Sequence, residues 1–185
     1  MRREEQRHLA HGGELPGHEA VEGLGLVGEQ RRPSSGTARL RLQGYVEALS
    51  AAGLHVQEEL VVPSESYHRA DGADAMTALL SLPTPPDAVF CFNDLLALGA
   101  MRVLHEQGVR VPADVAVVGF DDIEDGRYST PTLTTVRPDK KRIAELAVRL
   151  LAEQLEEGGR GAHAPREVVA PFDLAIREST GSGAA

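Results

Sequence analysis

Two short polar pairs each stand directly behind an apolar run: Asn93-Asp94 after "AVFCF" and Asp121-Asp122 after "VAVVGF". An asparagine amide both donates and accepts hydrogen bonds, whereas an ionised aspartate only accepts. Side by side they suit a polar ligand whose hydroxyls do both, and a sugar has that chemistry. Structural roles compete for the same residues. Asn93 precedes a helical pattern, where Asn is a favoured N-cap, and Asp121 after Gly119-Phe120 can build a turn. Capping and binding can coexist in one side chain. Arg41 as a lone arginine on a helix reads as a solvated side chain covering its neighbours. Tyr67, in the stretch after Pro63, reads as an exposed aromatic or a lid residue.

Other patterns carry less. "GLGLVG", Gly23 to Gly28, matches the dinucleotide-binding spacing literally, but no convincing strand precedes it and "EQRRPSSG" cannot open the helix that would receive a pyrophosphate. His8, His11 and His18 lie in an irregular segment and read as solvated histidines rather than metal ligands. The chain contains no G-x-S-x-G elbow, H-E-x-x-H or P-loop. Asp121 and Asp122 are neighbours in sequence, which does not place them on opposite sides of a substrate as a catalytic pair must be. No cofactor or metal is implied, and the reading is of a non-enzyme.

The elements that must position these residues follow from periodicity. "TARLRLQGYVEALSAAG" places Leu42, Tyr45, Val46 and Leu49 on one helical face, with Gly53 as a stop. "LHVQEELVV" reads as a strand closed by Pro63, and "ADGADAMTALLSL" as a helix ended by "PTPP". "DAVFCF" is a short buried strand; Asp94 to Gln107 is a helix facing the core through Ala97, Leu98, Met101 and Leu104. Val115 to Phe120 is a continuous apolar strand of the kind covered on both faces in parallel sheets. "TLTTV" is β-prone, and the longest helix follows, with Ile143, Leu146, Ala147, Leu150 and Leu151 on one face. "REVVAPFDLAIREST" closes in short β-like pieces interrupted by Pro171. Strands alternating with helices predict an α/β fold with a doubly wound, mostly parallel sheet. In such a sheet the strands end at one rim, where ligands bind, so both polar pairs should emerge there.

Bulk properties bound the class. At 185 residues and 42% hydrophobic, the chain can bury one ordinary domain or one lobe of a larger protein. No apolar run approaches the roughly eighteen residues of a membrane span, and the N-terminus lacks a secretory core, which predicts a cytoplasmic protein with no membrane contact. The single cysteine, Cys91, excludes an internal disulfide framework. A formal charge of −9 with scattered basic residues opposes non-specific attraction to nucleic acid. Residues 1–36 hold seven of the nineteen glycines and no sustained apolar period, so they read as an irregular, poorly ordered arm. Residues 37–180 read as the folded domain, and 181–185 as a flexible tail.

"ARLRLQGY", "DAVFCFNDLLALGAMRVLHEQGVRVPADVAVVGFDD" and "PTLTTVRPD", in that order, resemble the LacI/GalR family of bacterial transcriptional regulators over Thr37 to about Thr180. The resemblance implies a sensor domain of the type I periplasmic-binding-protein kind, chiefly its C-terminal lobe with an incomplete N-terminal lobe. It implies a small-molecule effector, a sugar first among candidates, bound by Arg41, Tyr67, Asn93 and Asp121, with Thr37 as a further hydroxyl contact. It also implies a homodimer that reaches operator DNA through an N-terminal helix-turn-helix, which is not recognisable ahead of Thr37. A ligand meeting only one wall of the cleft should bind weakly. The alternatives are a cytoplasmic α/β enzyme using Asp121 or Asp122, and a stand-alone sugar-binding module.

Overall fold

The computed structural model describes residues 23–29, 36–156 and 166–181. Its elements run β1 (Leu24–Glu29), α1 (Thr37–Ala51), β2 (Val61–Pro63), α2 (Arg69–Leu80), β3 (Ala88–Cys91), α3 (Asp94–Glu106), β4 (Ala116–Phe120), α4 (Asp125–Tyr128), β5 (Thr134–Pro138), α5 (Lys140–Glu156) and β6 (Phe172–Ala175). The six strands form one sheet in the order β2-β1-β3-β4-β5-β6. Every pairing is parallel except β5 with β6, which is antiparallel. The α/β, mostly parallel architecture expected from the alternation of strands and helices is the one observed. The order also creates a switch point between β1 and β3, where the chain leaves in opposite directions, the place beyond the strand ends where open α/β sheets bind ligands.

The two faces of the sheet differ. Val27, Val89, Cys91, Val117 and Thr135 point to one side and are all buried. That side is covered by α2 and α3, which can approach closely because Gly72 and Gly99 lie at their crossing. A Cβ on Gly72 would collide with the backbone of Leu96, and one on Gly99 with the carbonyl of Arg69. The other face carries Phe90, Val118, Phe120 and Val136, each only half-buried. Helix α1 covers the β1 end of that face through Tyr45, whose hydroxyl donates to the Leu24 carbonyl at 2.6 Å.

Several expectations need correction. Residues 1–36, "GLGLVG" among them, read as an irregular arm, yet Leu24–Glu29 is a strand inside the sheet, with Leu26 and Val27 fully buried. Its glycines hide the β pattern because packing demands them: a Cβ at Gly25 would meet Pro86 at 3.2 Å, and one at Gly28 would press on Phe92 at 2.6 Å. The rest of the arm, including His8, His11 and His18, lies outside the described residues, as does the tail from 182. "LHVQEELVV" forms a 3-10 turn at Glu58–Leu60 followed by only three strand residues, since Glu58-Glu59 interrupts the apolar run and the turn buries Leu60 instead. On α1, Tyr45 and Leu49 are buried but Val46 is 40% exposed. On α5 only Leu146 is buried; Ile143 and Leu151 are exposed because no described element packs along that stripe.

Candidate functional site

The rim at the carboxyl ends of β1, β3 and β4 is built by three local devices. Asn93 is the N-cap of α3: its Oδ1 accepts from the Leu96 amide at 2.8 Å, so the capping reading holds. The same side chain donates from Nδ2 to the Tyr67 carbonyl at 3.1 Å. Each Asn93 end group thereby keeps one unused valence, an N–H and a lone pair, although the residue is buried. Tyr67 in turn donates its hydroxyl to the Gly28 carbonyl at 3.2 Å, spanning the β1 side of the switch point. Burial raises the Tyr67 pKa above its ordinary value, while the nearby Arg41 cation pulls it the other way.

The second device is Arg41 on α1. Its guanidinium lies over the Phe120 ring, 4.1 Å from the centroid, and approaches Asp121 with Nη2 3.7 Å from Oδ1. The side chain is only 15% exposed, so the solvated reading fails: the planar cation is fixed on an aromatic face. Asp121 is the third. Its amide donates to the Val136 carbonyl at 2.9 Å, and its φ of 112° is a conformation that residues with side chains rarely adopt. Asp122 follows at φ 47°. Burial raises the Asp121 pKa above the ordinary carboxylate value, with Arg41 and Lys140 opposing it.

Thr37, Arg41 and Asp121 line one open cavity of about 770 Å³, whose other walls include Phe90, Phe120 and Ile143. Tyr67 and Asn93 are tied to each other beside it and do not line it. The five expected residues therefore fall into two groups on one rim, with Arg41 electrostatically linked to both. Sequence reasoning missed Phe120 as the platform for Arg41. It also assigned no structural role to the second member of each polar pair. Asp94 is 1% exposed, accepting from the Thr135 hydroxyl at 2.6 Å and the Ile123 amide at 2.8 Å. Burial raises its pKa, against the pull of those hydrogen bonds. The Asp122 carboxylate is gripped by Arg127 at 2.6 Å and Arg177 at 2.5 Å. Burial works to raise its pKa, but the two guanidinium hydrogen bonds outweigh it and the net shift is downward.

Cys91 is fully buried, and burial pushes its thiol pKa up, which leaves it an inert core residue. Among the described residues no group of three His, Cys, Asp or Glu could hold a metal, and no helix is long and apolar enough to cross a membrane. Gly25 and Gly28 of "GLGLVG" sit within strand β1 and Gly23 just ahead of it, whereas a pyrophosphate needs such glycines in the turn after the strand.

The carboxyl rim of this parallel sheet, where open α/β sheets bind ligands, brings together a cap amide, a carboxylate and a stacked guanidinium. Residues 17–180 match the family described as the periplasmic binding protein-like domain. The chain belongs to that family, as an effector-binding domain of the LacI/GalR regulator type. It is 40% identical over 146 residues to the HTH-type transcriptional repressor PurR of Mannheimia succiniciproducens, covering 77% of this chain and 42% of that protein. A solved LacI-family regulator from Sanguibacter keddieii superposes with a TM-score of 0.81 at 49% identity, covering 88% of this chain and 61% of that one. The structure of the transcriptional regulator CelR in complex with cellobiose matches with a TM-score of 0.77 at 35% identity, over 86% of this chain and 47% of that one. The chain thus spans less than half the length of the PurR relative and about three fifths of the Sanguibacter chain.

Proposed function

We propose that this chain carries the effector-recognising wall of a transcriptional regulator, and that the effector is a sugar or a comparably hydroxylated molecule. The observation that carries the reading is Asp121, a carboxylate in a costly backbone conformation beside a guanidinium that is itself fixed on Phe120. Backbone strain at a rim position is retained where the side chain has work to do. The pair presents acceptors and donors side by side, which matches adjacent hydroxyls, and Tyr67 and Phe120 offer aromatic surface to the apolar face of a sugar ring. Thr37 and Asn93 extend the polar rim. The cellobiose complex of a related regulator supports the ligand class. The relative named as an HTH-type transcriptional repressor supports a role in transcription; a cytoplasmic homodimer that reaches operator DNA through a helix-turn-helix is part of the same proposal. Ligand preference between two arrangements of the sensor would set the DNA-competent population.

The enzyme reading is the weaker one. Asp122, the second carboxylate available to it, is committed to Arg127 and Arg177 and presents no free oxygen for proton transfer.

Contacts from this wall alone predict weak binding, so the test is an NMR titration of the labelled chain with cellobiose, monosaccharides and nucleobases. The expected result is saturable movement of the Arg41 side-chain and Asn93 side-chain signals with a sugar at millimolar concentration, abolished in Asp121→Asn. Absence of movement with every sugar, or equal movement in Asp121→Asn, would overturn the assignment.

A further inference from the structure

The loop Asp121-Asp122-Ile123 carries two consecutive non-glycine residues at positive φ, 112° and 47°. Such a conformation persists only where its surroundings over-determine it. Here contacts from several elements do so, the Arg127 grip on the Asp122 carboxylate among them. From the α3 side, the Asp94 carboxylate takes the Ile123 amide on Oδ2 and the Thr135 hydroxyl on Oδ1. From β5, the same Thr135 oxygen accepts the Asp122 amide at 3.3 Å. From the chain's end, Arg177 holds the Asp122 carboxylate and donates a second bond to the Leu133 carbonyl at 2.7 Å. Lys140 at the start of α5 adds a contact to the Asp122 carbonyl at 3.2 Å. The approach of Asp94 to β4 is open only because residue 119 is glycine, since a Cβ there would collide with Asp94 Oδ1.

We propose that Asp94, Thr135 and Arg177 are positioning residues: they touch no ligand themselves and hold the 121–123 loop so that Asp121 faces Arg41. The proposal rests on the reading of Asp121 as an effector contact. It deepens that reading, because the carboxylate's direction is then set by residues 27 positions before it, 14 after it and 56 after it in the chain. Thr135 is the joint of the device. Its one hydroxyl donates to Asp94 and accepts from Asp122, so a single oxygen ties the loop to a buried charge.

The test uses the full chain and three variants, Thr135→Val, Thr135→Ser and Arg177→Met, with two readouts. The first is the three-bond amide–α-proton coupling of Asp121 read together with its one-bond Cα–Hα coupling, which together separate positive from negative φ without any ligand. The second is the cellobiose titration. Thr135→Val is expected to move the Asp121 coupling toward the value for negative φ and to weaken cellobiose binding by about tenfold or more, the loss of one hydrogen bond to a charged group. Thr135→Ser should restore both. Arg177→Met should shift the coupling in the same direction, and it decides the matter if Thr135→Val does not fold. Lower stability with an unchanged Asp121 coupling in both Thr135→Val and Arg177→Met would overturn the proposal, showing the network to be structural only. If the wild-type chain shows no response to any sugar, the ligand assignment fails, while the coupling still decides whether these residues set the Asp121 geometry.

Discussion

Replacing Asp121 by glycine should stabilise the fold while destroying the site. Three contributions set the magnitude. Residues other than glycine held in sparsely populated backbone regions cost about 1–3 kcal/mol each, and Asp121 at φ 112° is such a case. Glycine returns about 0.5–1 kcal/mol of that through its greater freedom in the unfolded chain. Loss of the Arg41 contact costs about 0–1 kcal/mol, since the atoms are 3.7 Å apart and the Asp121 side chain is 38% exposed. The amide bond to Val136 survives the change. The balance favours the variant by about 0.5–1.5 kcal/mol, near the middle of these ranges. Urea unfolding with an unchanged m-value measures it, and Asp121→Ala is the control that removes the carboxylate but keeps the strain.

The control makes the reasoning refutable. Alanine is ordinarily the more stable choice, so Asp121→Gly exceeding Asp121→Ala by about 1 kcal/mol isolates the backbone term. If Asp121→Ala proved equal or better, the strain would be absent and the argument for a functional carboxylate would fall. The pH dependence supplies a second check. The Asp121 pKa is raised in the fold, so its contribution to stability is full below the unfolded value and is lost as pH rises through the folded one. The advantage of glycine should therefore be larger at pH 7 than at pH 3.

Three further outcomes follow from other parts of the molecule. Gly72→Ala and Gly99→Ala should each destabilise by about 3 kcal/mol, the upper end for overpacking, because the obstructing atoms are backbone and cannot rotate away; the double variant should cost less than the sum, since one separation of α2 from α3 relieves both, and additive unfolding energies would count against that picture. Asp122→Asn should lower stability at pH 7 and flatten the acid limb of the stability curve: its pKa is depressed in the fold, so its contribution is present above the unfolded value of about 3.9 and is lost as pH falls through the folded one, and an unaltered acid limb would refute this. Arg41→Lys should lose the stacked geometry on Phe120, worth about 0.5–1 kcal/mol in stability, and abolish the sugar-dependent shifts at Asn93; a lysine variant that titrates like wild type would show that charge alone suffices.

The fold was legible because helices α2 and α3 and strands β3 and β4 obey their own periods strongly enough to be read without tertiary knowledge. The failures have physical causes. Strand β1 was masked by glycines that close packing against Pro86 and Phe92 requires, so a composition that signals a loop belongs to the sheet interior. The apolar stripe of α5 predicts a buried face, but a stripe states what a helix can bury and says nothing of which element arrives to cover it.

The site shows a sharper division. Asn93 and Asp121 could be nominated because they end apolar strands in a parallel sheet, and that rule acts through position along a single strand. Asp94 and Asp122 are their immediate neighbours, and spacing registers no difference in role; Asp122 shares even its residue type with Asp121. What separates them is direction: Asp94 turns inward to Gly119 and Thr135, and Asp122 turns toward Arg127 and Arg177. Those partners come from β4, β5, α4 and the final segment, up to 55 residues away. An aspartate that accepts from a ligand and one that accepts from its own protein present the same letter. Only the sheet order, which sets β5 beside β4 and β4 beside β3, decides which of the two has its acceptors already filled. The residue left with acceptors to offer is Asp121, and its φ of 112° lies further than Asp122's 47° from the left-handed helical region that side-chain-bearing residues can enter.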